Sequence, residues 1–375
     1  MKILTVIGTR PEAIKMAPLI HALKDSSRFN SRICVTAQHR QMLDCVLSSF
    51  EIVPDYDLNI MSSKQSLDDV TIKILSFMGP ILDEFQPDLV LVHGDTTTTF
   101  SAALSAYYRQ IPVGHVEAGL RTGNIYSPWP EEGNRRLVSS IASLYFAPTE
   151  TAKNNLILEN IPEERIKITG NTVIDSLFWV RDKIYRDEGL RKRLSSQYTM
   201  LNSDKRVILV TGHRRENFGA GIEGICKALK RIALNFQDCQ IIYPAHPNPN
   251  IQEPINRLLN GVKNIYLIAP QDYFSFVYLM MQSTIILTDS GGIQEEAPSL
   301  GKPVLIMRNT TERPELVSAG AGKLVGTDPD VIFNEVAGLL NDYLLYESMS
   351  NSHNPYGDGT ASKKIFDSLS NWKKL

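Results

Sequence analysis

Short apolar segments alternate with helical patterns along almost the entire chain, which has 375 residues. The alternation runs from a predicted strand over 3–7 and a predicted helix over 11–24 to a strand over 166–169. It begins again with a strand at 207–210 and continues to a strand at 304–307. Strands that alternate with helices form parallel sheets covered on both faces. The pattern therefore predicts an α/β protein with two doubly wound domains that face each other across a cleft.

The length of the chain suits two domains, since one domain typically takes roughly 100–200 residues. The segment 170–175 interrupts the alternation and marks the crossing between the two series. We place the first domain at 1–170 and the second at 171–357. A turn at 354–359 precedes a last helix within about 358–375, and we expect this helix to pack back onto the first domain.

The composition excludes several classes of protein. The net charge of −2 supplies no basic field for a nucleic-acid backbone, so no nucleic-acid partner is predicted. No apolar run approaches the roughly 20 residues of a membrane span, so no membrane partner is predicted either. The first apolar segment is short and soon reaches Arg10, which is typical of a strand rather than of a signal peptide. We therefore expect a cytoplasmic protein.

A glycine turn at Ser290, Gly291 and Gly292 links a predicted strand to a predicted helix. Such a turn presents free backbone N–H groups and the positive end of a helix dipole, which favour an anion. Glu296 lies about one turn into the helix, where a carboxylate can bind ribose hydroxyls. An ordinary strand–helix turn has the same pattern, but the next turn, 309–315, adds two threonines and Arg313 at the same edge of the sheet. We interpret this edge as a nucleotide-diphosphate site.

Five further polar clusters directly follow predicted strands. Their chemically active residues are Arg10 and Lys15, Asp95, Glu117, Glu131, and His213 with Arg214. The alternatives are solvated charge for the cations, an N-cap for Asp95 and compensation of a helix dipole for Glu131. Because the carboxyl ends of parallel strands line the cleft, we expect these groups to meet there. Carboxylates clustered in a partly closed site have pKa values that spread apart, which suits an acid and a base that work together.

Motifs for cofactors and metals are weak in this sequence. The segment 219–224 matches the dinucleotide-binding motif G-x-G-x-x-G. However, it does not follow directly on a predicted strand, and no acidic residue ends the next predicted strand. We therefore reject a dinucleotide site. His246 has no suitably spaced partner for zinc. We predict neither a cofactor nor a metal.

Seven motifs, in order along the chain, resemble those of the non-hydrolysing bacterial UDP-N-acetylglucosamine 2-epimerases. They read GTRPEAIKMAP, VHGDTTT, HVEAGLR, PEE, TGHRREN, DSGG and TERP, and begin at Gly8, Val92, His115, Pro130, Thr211, Asp289 and Thr311. The resemblance covers essentially the whole chain. It implies two Rossmann-like domains of the glycosyltransferase-B type and a homodimer. It also implies reversible conversion of UDP-N-acetylglucosamine into UDP-N-acetylmannosamine, for cell-surface polysaccharide precursors.

The resemblance further implies roles for individual residues. The uridine diphosphate would be bound by Arg10, Gln271, Phe276, Ser290, Gly291, Gly292, Glu296 and Arg313, with His213 near the phosphates. The sugar would be surrounded by Lys15, Asp95, Glu117 and Glu131. Relatives in Gram-positive bacteria bind a second substrate molecule as an activator, and the matching positions are Gln38, Gln41, Gln65, Glu131, Arg214 and His246. Lys64 stands where those relatives carry arginine, and it keeps the charge but loses the bidentate geometry.

These residues fit an elimination followed by re-addition. Loss of the diphosphate makes C1 of the sugar cation-like, and a carboxylate then takes the C2 proton, which leaves 2-acetamidoglucal and UDP. Re-addition with the proton on the other face gives the epimer. We expect Asp95, Glu117 and Glu131 to share these proton transfers, and His213 and Arg10 to stabilise the leaving diphosphate. The sequence leaves open which carboxylate serves which face.

Three other functions stay open on the sequence alone. A glycosyltransferase of the same architecture would use the same diphosphate site but pass the sugar to an acceptor. A hydrolysing epimerase would release free N-acetylmannosamine and UDP. A catalytically inactive UDP-sugar sensor is a further alternative, against which the intact acidic positions argue.

Overall fold

The computed structural model describes residues 1–37, 40–62 and 65–372. The chain divides into two compact units: unit 1 comprises Met1–Ser176 and Tyr356–Leu375, and unit 2 comprises Leu177–Pro355. A parallel sheet forms the centre of each unit, and helices connect its strands. The α/β class and the two parallel sheets predicted from the sequence are therefore confirmed.

Unit 1 contains a sheet of seven strands within the described residues. Its elements, in chain order, are β1 (Lys2–Ile7), α1 (Arg10–Lys24), β2 (Asn30–Val35), α2 (Arg40–Ser49), β3 (Tyr56–Asp57), α3 (Leu67–Phe85), β4 (Leu89–His93), α4 (Thr97–Tyr107), β5 (Val113–Val116), α5 (Glu131–Ile141), β6 (Leu144–Ala147), α6 (Glu150–Leu158) and β7 (Ile166–Ile168). The strand order across the sheet is β3-β2-β1-β4-β5-β6-β7. The carboxyl ends of β1, β4 and β5 are thus neighbours.

Unit 2 contains a sheet of six strands within the described residues. After α7 (Thr172–Arg186), in which the division between the units falls, its elements are α8 (Glu188–Gln197), β8 (Arg206–Thr211), α9 (Ala220–Asn235), β9 (Cys239–Pro244), α10 (Pro249–Leu259), β10 (Ile265–Ile268), α11 (Tyr273–Gln282), β11 (Ile285–Thr288), α12 (Gly291–Glu296), β12 (Val304–Ile306), α13 (Pro314–Ser318), β13 (Gly322–Leu324), α14 (Pro329–Asn341) and α15 (Tyr343–Ser350). The strand order is β10-β9-β8-β11-β12-β13. Here the ends of β8, β11 and β12 are neighbours.

Helix α3 is absent from the sequence prediction although it is the longest helix of unit 1. Gly79 and Pro80 lie inside it and weaken the helical signal, because neither residue type is favoured in a helix interior. Ser66 caps its first turn by accepting a hydrogen bond from the backbone N–H of Asp69. The buried side of α3 carries apolar residues at helical spacing, and these join the core beneath β1 and β4.

The last helix, α16 (Ala361–Asn371), belongs to unit 1 and packs against α1. Asp175 fixes its first turn, because this buried carboxylate accepts hydrogen bonds from the backbone N–H groups of Ala361 (3.1 Å) and Ser362 (2.8 Å). An edge-to-face contact between Phe29 and Phe366, with ring centroids 5.2 Å apart, holds the middle of the helix. Among the helices of the described ranges, none is both long enough and apolar enough to cross a membrane.

Candidate active site

The candidate carboxylates of unit 1 lie at the carboxyl ends of adjacent strands. Asp95 follows β4 and Glu117 follows β5, while Arg10 and Lys15 lie in the first two turns of α1, directly after β1. Arg10 is exposed, and Glu131 is half-buried in the first turn of α5. The sheet topology therefore places the predicted cations and acids of unit 1 at one edge of one sheet.

Glu117 and Lys15 form a partly buried ion pair. The Lys15 Nζ atom lies 2.5 Å from Glu117 Oε2, and the two side chains are 16% and 9% exposed. The same carboxylate oxygen lies 3.7 Å from Nε2 of His93, the last residue of β4. Glu117 has a φ of +62°, a left-handed conformation that is uncommon for a residue other than glycine and that concentrates at functional sites.

Asp95 is partly buried and paired with an arginine. The Arg135 Nη2 atom lies 2.6 Å from Asp95 Oδ2, and the Asn134 side chain donates a hydrogen bond of 2.9 Å to the Asp95 backbone carbonyl. The N-cap of α4 is Thr96, whose hydroxyl accepts from the backbone N–H of Thr99. Asp95 is therefore not needed as a cap, and the structural alternative considered for it does not hold.

Glu12 is a buried carboxylate that connects the turns bearing Arg10 and Asp95. Its side chain accepts hydrogen bonds of 2.7 Å from the backbone N–H groups of Gly8 and Thr9. It also accepts hydrogen bonds of 2.6 Å from the Thr96 hydroxyl and 3.1 Å from the Thr99 hydroxyl. Burial raises the pKa of Glu12, and the four hydrogen bonds oppose that rise. Glu12 thus links the loop after β1 to the loop after β4 through hydrogen bonds.

In unit 2, Asp289 organises the turn that carries His213. This carboxylate is fully buried and accepts hydrogen bonds of 2.9 Å from the backbone N–H groups of His213 and Arg214. The side chain of Asn217 donates a further hydrogen bond of 3.2 Å to it. The turn after β8 is therefore fixed by the residue that ends β11, its neighbour in the sheet.

The imidazole of His213 lies between Asp289 and His246. His213 Nδ1 is 3.4 Å from Asp289 Oδ1, and the ring stacks on His246 with centroids 6.1 Å apart. Burial lowers the pKa of His213, and the negative charge of Asp289 opposes this effect. A carboxylate beside Nδ1 favours the tautomer that carries its proton there, so Nε2 is left as the ring atom that can meet a ligand.

Two guanidinium groups converge on the glycine turn. A Cβ atom added to Gly291 would lie 3.6 Å from Arg313 Nη2 and 3.9 Å from Arg214 Nη2. The Arg313 Nε atom donates a 2.5 Å hydrogen bond to Glu295, which is 2% exposed. Ser290 is the N-cap of α12. Guanidinium groups beside free backbone N–H groups form a favourable environment for a diphosphate.

The remaining candidates of unit 2 have defined partners. Glu296 is nearly buried and accepts a 2.5 Å hydrogen bond from the Tyr273 hydroxyl. Gln271 accepts a hydrogen bond of 2.5 Å from the Tyr198 hydroxyl. Phe276 is half-buried on α11, in which Tyr273 is the first residue. The two hydrogen bonds fix Gln271 shortly after β10 and Glu296 at the end of α12.

The residues assigned to an activator site fall in three places. Gln38 and Lys64 lie outside the described residues. Gln41 is exposed at the start of α2, and Gln65 accepts a 3.1 Å hydrogen bond from the backbone N–H of Ser62. Arg214 and His246 lie beside the candidate diphosphate groups of unit 2, as described above. Among the described residues, no group of three or more His, Cys, Asp or Glu side chains has the arrangement of a metal site.

Comparison with known proteins identifies the family. Residues 21–370 match the protein-family model described as UDP-N-acetylglucosamine 2-epimerase. The chain is 61% identical over 371 residues to the UDP-N-acetylglucosamine 2-epimerase of Escherichia coli (strain K12), and the match covers 99% of each chain. This chain belongs to the UDP-N-acetylglucosamine 2-epimerase family.

Solved structures of family members have the same fold. The crystal structure of UDP-GlcNAc 2-epimerase from Neisseria meningitidis bound to UDP-GlcNAc is 54% identical, with a TM-score of 0.90 over 98% of this chain and 99% of that one. The co-structure of S. aureus MnaA with UDP is 44% identical, with a TM-score of 0.85 over 98% of this chain and 95% of that one. The predicted two-domain fold of the glycosyltransferase-B type is thereby confirmed.

Several residues of the candidate site are not recognisable as functional from the sequence. Glu12 carries a local signal, because Thr9 and Glu12 have the spacing of a capping box, but that signal alone indicates only a helix start. Asp289 lies in a quoted motif but was given no role, since an aspartate after a strand usually caps a helix. Arg135 and His93 carry no signal apart from their positions beside other candidates.

Glu295→Gln should weaken UDP binding by this 2-epimerase through Arg313. The Kd for UDP is expected to rise about tenfold, because a hydrogen bond to a charged group contributes about 1.5 kcal/mol or more. Isothermal titration calorimetry measures this. Glu312→Gln is the matched control, because Glu312 is an exposed partner of the same arginine at 3.8 Å and surface ion pairs contribute little. Equal Kd values for the two variants would contradict a role of Glu295 in positioning Arg313.

Proposed function

We propose that this protein interconverts UDP-N-acetylglucosamine and UDP-N-acetylmannosamine by elimination and re-addition of UDP. Membership of the 2-epimerase family supports the reaction, and the E. coli relative of that name is similar over the full length. The observation that carries the mechanism is the partly buried carboxylate of Glu117, which lies at a strand end beside Lys15 and next to the turn of Asp95. A carboxylate in this setting is suited to proton transfer at carbon.

In the first half-reaction the bond between C1 and the β-phosphate oxygen breaks, and the electron pair leaves with UDP. A carboxylate among Asp95, Glu117 and Glu131 takes the C2 proton, and the electrons of the C–H bond form the C1–C2 double bond of 2-acetamidoglucal. In the second half-reaction a proton returns to the opposite face of C2, and UDP adds back to C1. Substrate and product have the same composition, although the C2 hydrogen is replaced, and only the configuration at C2 changes.

The groups of unit 2 suit the retention of UDP between the two half-reactions. Arg313 and Arg214 flank the glycine turn, and His213 presents Nε2. As negative charge develops on the diphosphate, the two guanidinium groups stabilise it as fixed donors without reorganisation, and His213 can do so once its Nε2 atom has taken up a proton. Glu296, held by Tyr273, would bind the ribose hydroxyls, while Gln271 and Phe276 would contact the uridine.

Positional isotope exchange tests the elimination. The substrate is UDP-N-acetylglucosamine with ¹⁸O in the bridge between the sugar and the β-phosphate, incubated with the protein alone. Cleavage at C1 lets the β-phosphate oxygens become equivalent, so the label is expected to scramble into non-bridging positions as UDP-N-acetylmannosamine forms. Unscrambled label in an epimerised product would contradict elimination. Free N-acetylmannosamine as the main product would indicate hydrolysis, and turnover only with an added acceptor would indicate a transferase.

The proposal includes a homodimer formed through unit 1. Helices α3 and α4 pack together, and large apolar side chains are exposed on α3, at Ile72 (61%) and Phe77 (48%), and directly after α4, at Tyr108 (67%). Exposed apolar side chains that cluster on a surface are typical of an interaction site. Light scattering is expected to give about twice the chain mass of 42.0 kDa, and Phe77→Asp is expected to shift the mass towards the monomer. A wild-type mass of one chain would contradict the dimer.

A further inference from the structure

His93 is a buried histidine whose hydrogen-bonding capacity is unused. It ends β4 and is 3% exposed. Among the described residues, neither of its ring nitrogens has a hydrogen-bond partner. A neutral imidazole always carries one N–H, and a buried donor without an acceptor typically costs about 1–3 kcal/mol. An unsatisfied group of this kind beside reacting residues calls for a second arrangement in which it is satisfied.

One acceptor close to the ring is the carboxylate of Glu117. His93 Nε2 lies 3.7 Å from Glu117 Oε2, which is outside hydrogen-bond range, while Lys15 Nζ lies 2.5 Å from the same oxygen. A movement of the carboxylate by about 1 Å would bring the first distance into the normal range of a hydrogen bond. The Glu117 carboxylate therefore lies close to both His93 and Lys15, and in this structure it pairs with Lys15.

His115, on the neighbouring strand, shows the usual way to bury a histidine. Its Nε2 atom lies 2.7 Å from the Gly94 carbonyl oxygen, which fixes the tautomer with the proton on Nε2. Burial lowers the pKa of both histidines to about 4, so both are neutral near pH 7. The two rings lie on neighbouring strands and share a charge state, and His93 differs in that neither ring nitrogen has a hydrogen-bond partner among the described residues.

We propose that His93 is a positioning residue for Glu117. When substrate binds, the Glu117 carboxylate separates from Lys15 and accepts a hydrogen bond from His93 instead. The proposal rests on the proposed function, because the exchange requires the Lys15 ammonium to engage the substrate. The Nε2–H group of His93 then donates to the carboxylate and aims it at the sugar. The left-handed backbone of Glu117, which strains the residue at the point of exchange, is consistent with two arrangements of similar energy.

The exchange increases the basicity of Glu117 only when substrate is present. A carboxylate beside an ammonium is a weaker base than one that accepts a hydrogen bond from a neutral imidazole. Proton transfer from carbon is therefore favoured after Lys15 has turned to the substrate. The other charged and titratable groups that face this pair are His115 on β5 and, beyond it, Arg121 and Arg135. Those arginines are permanently charged, so they do not titrate with the pair.

Paired amide substitutions at position 93 test the proposal. The side-chain amide of His93→Gln reaches about as far as Nε2, whereas that of His93→Asn reaches only as far as Nδ1. We expect kcat of His93→Asn to fall by about 10-fold or more, at the lower end of what proton-transfer groups contribute. His93→Gln should recover most of this loss. The acidic limb of the kcat–pH profile should move to higher pH in the asparagine variant, because its Glu117 loses the donor that favours the ionised form.

Three measurements on the intact protein separate this exchange from other effects. The Kd for UDP and the thermal unfolding midpoint should be the same in both variants, so a difference in either would assign the loss in kcat to binding or folding and overturn the proposal. Equal kcat values and pH profiles for the two variants would also overturn it. If the wild-type protein formed no UDP-N-acetylmannosamine, the proposed function would fail, whereas the proposal for His93 fails only against an active wild type.

Discussion

Asp95→Asn is expected to reduce kcat by about 10²-fold or more, which is the scale of general acid–base assistance. The asparagine can no longer take up or hold a proton, although its carbonyl oxygen can still accept a hydrogen bond from Arg135. The backbone carbonyl that binds Asn134 is untouched, so the turn after β4 should keep its conformation. The KM for UDP-N-acetylglucosamine should change little, because Asp95 is not among the candidate diphosphate groups. Steady-state assays of UDP-N-acetylmannosamine formation measure both constants.

The matched control for Asp95→Asn is Asp367→Asn. Asp367 also pairs with a cation in unit 1, since Lys363 Nζ lies 2.6 Å away, but it is 53% exposed on α16. Removal of this charge should leave kcat unchanged, because exposed ion pairs contribute little even to stability. If Asp95→Asn retained the turnover of its control, Asp95 would have no part in the proton transfers.

Asp289→Asn should also lower kcat by about 10²-fold, in this case by changing the tautomer of His213. One carboxylate oxygen, Oδ2, accepts the backbone hydrogen bonds of the turn, and the other, Oδ1, lies 3.4 Å from His213 Nδ1. An asparagine can keep its oxygen at the first position and place its amide N–H₂ at the second. The amide then donates to Nδ1, so the imidazole proton must move to Nε2. The ring would present an N–H where the wild type presents a lone pair.

The Asp289→Asn result can be distinguished from a loss of folding. The backbone hydrogen bonds are retained in the variant, so the unfolding midpoint should fall much less than in Asp289→Ala, which leaves buried N–H groups without acceptors. Asp238→Asn is the control, because Asp238 is 55% exposed in its pair with Arg206 in unit 2. An NMR titration of His213 reports the tautomer directly. Unchanged turnover together with a changed tautomer would contradict a role for Nε2.

The strands that carry the site could be predicted from the sequence because each is short, apolar and followed at once by polar residues. The strands predicted at 3–7 and 207–210 are observed as Lys2–Ile7 and Arg206–Thr211. The glycine turn and its arginines were recognisable for the same reason, since the chemistry lies within a few residues. Helix α3 was not predicted, because Gly79 and Pro80 contradict its helical pattern and only packing of its apolar side against the sheet outweighs them.

Contacts between distant segments could not be predicted. Lys15 and Glu117 are 102 residues apart, and their ion pair depends on the order β1-β4-β5 in the sheet, which short strands do not specify. The same holds for Asp289 and the turn of His213, 76 residues away. Buried residues such as Glu12 and His93 look in the sequence like an ordinary helix start and an ordinary strand end. Their partners, or the lack of them, appear only when the elements are packed.

Proton exchange at C2 is the most direct test of the account, because every role assigned to the carboxylates of unit 1 depends on it. The protein is incubated with UDP-N-acetylglucosamine in heavy water, and C2 is followed by NMR. The account predicts deuterium at C2 in both UDP-N-acetylglucosamine and UDP-N-acetylmannosamine. Epimerised product that keeps its original hydrogen at C2 would contradict it, since no carboxylate could then have removed that proton and returned one from solvent.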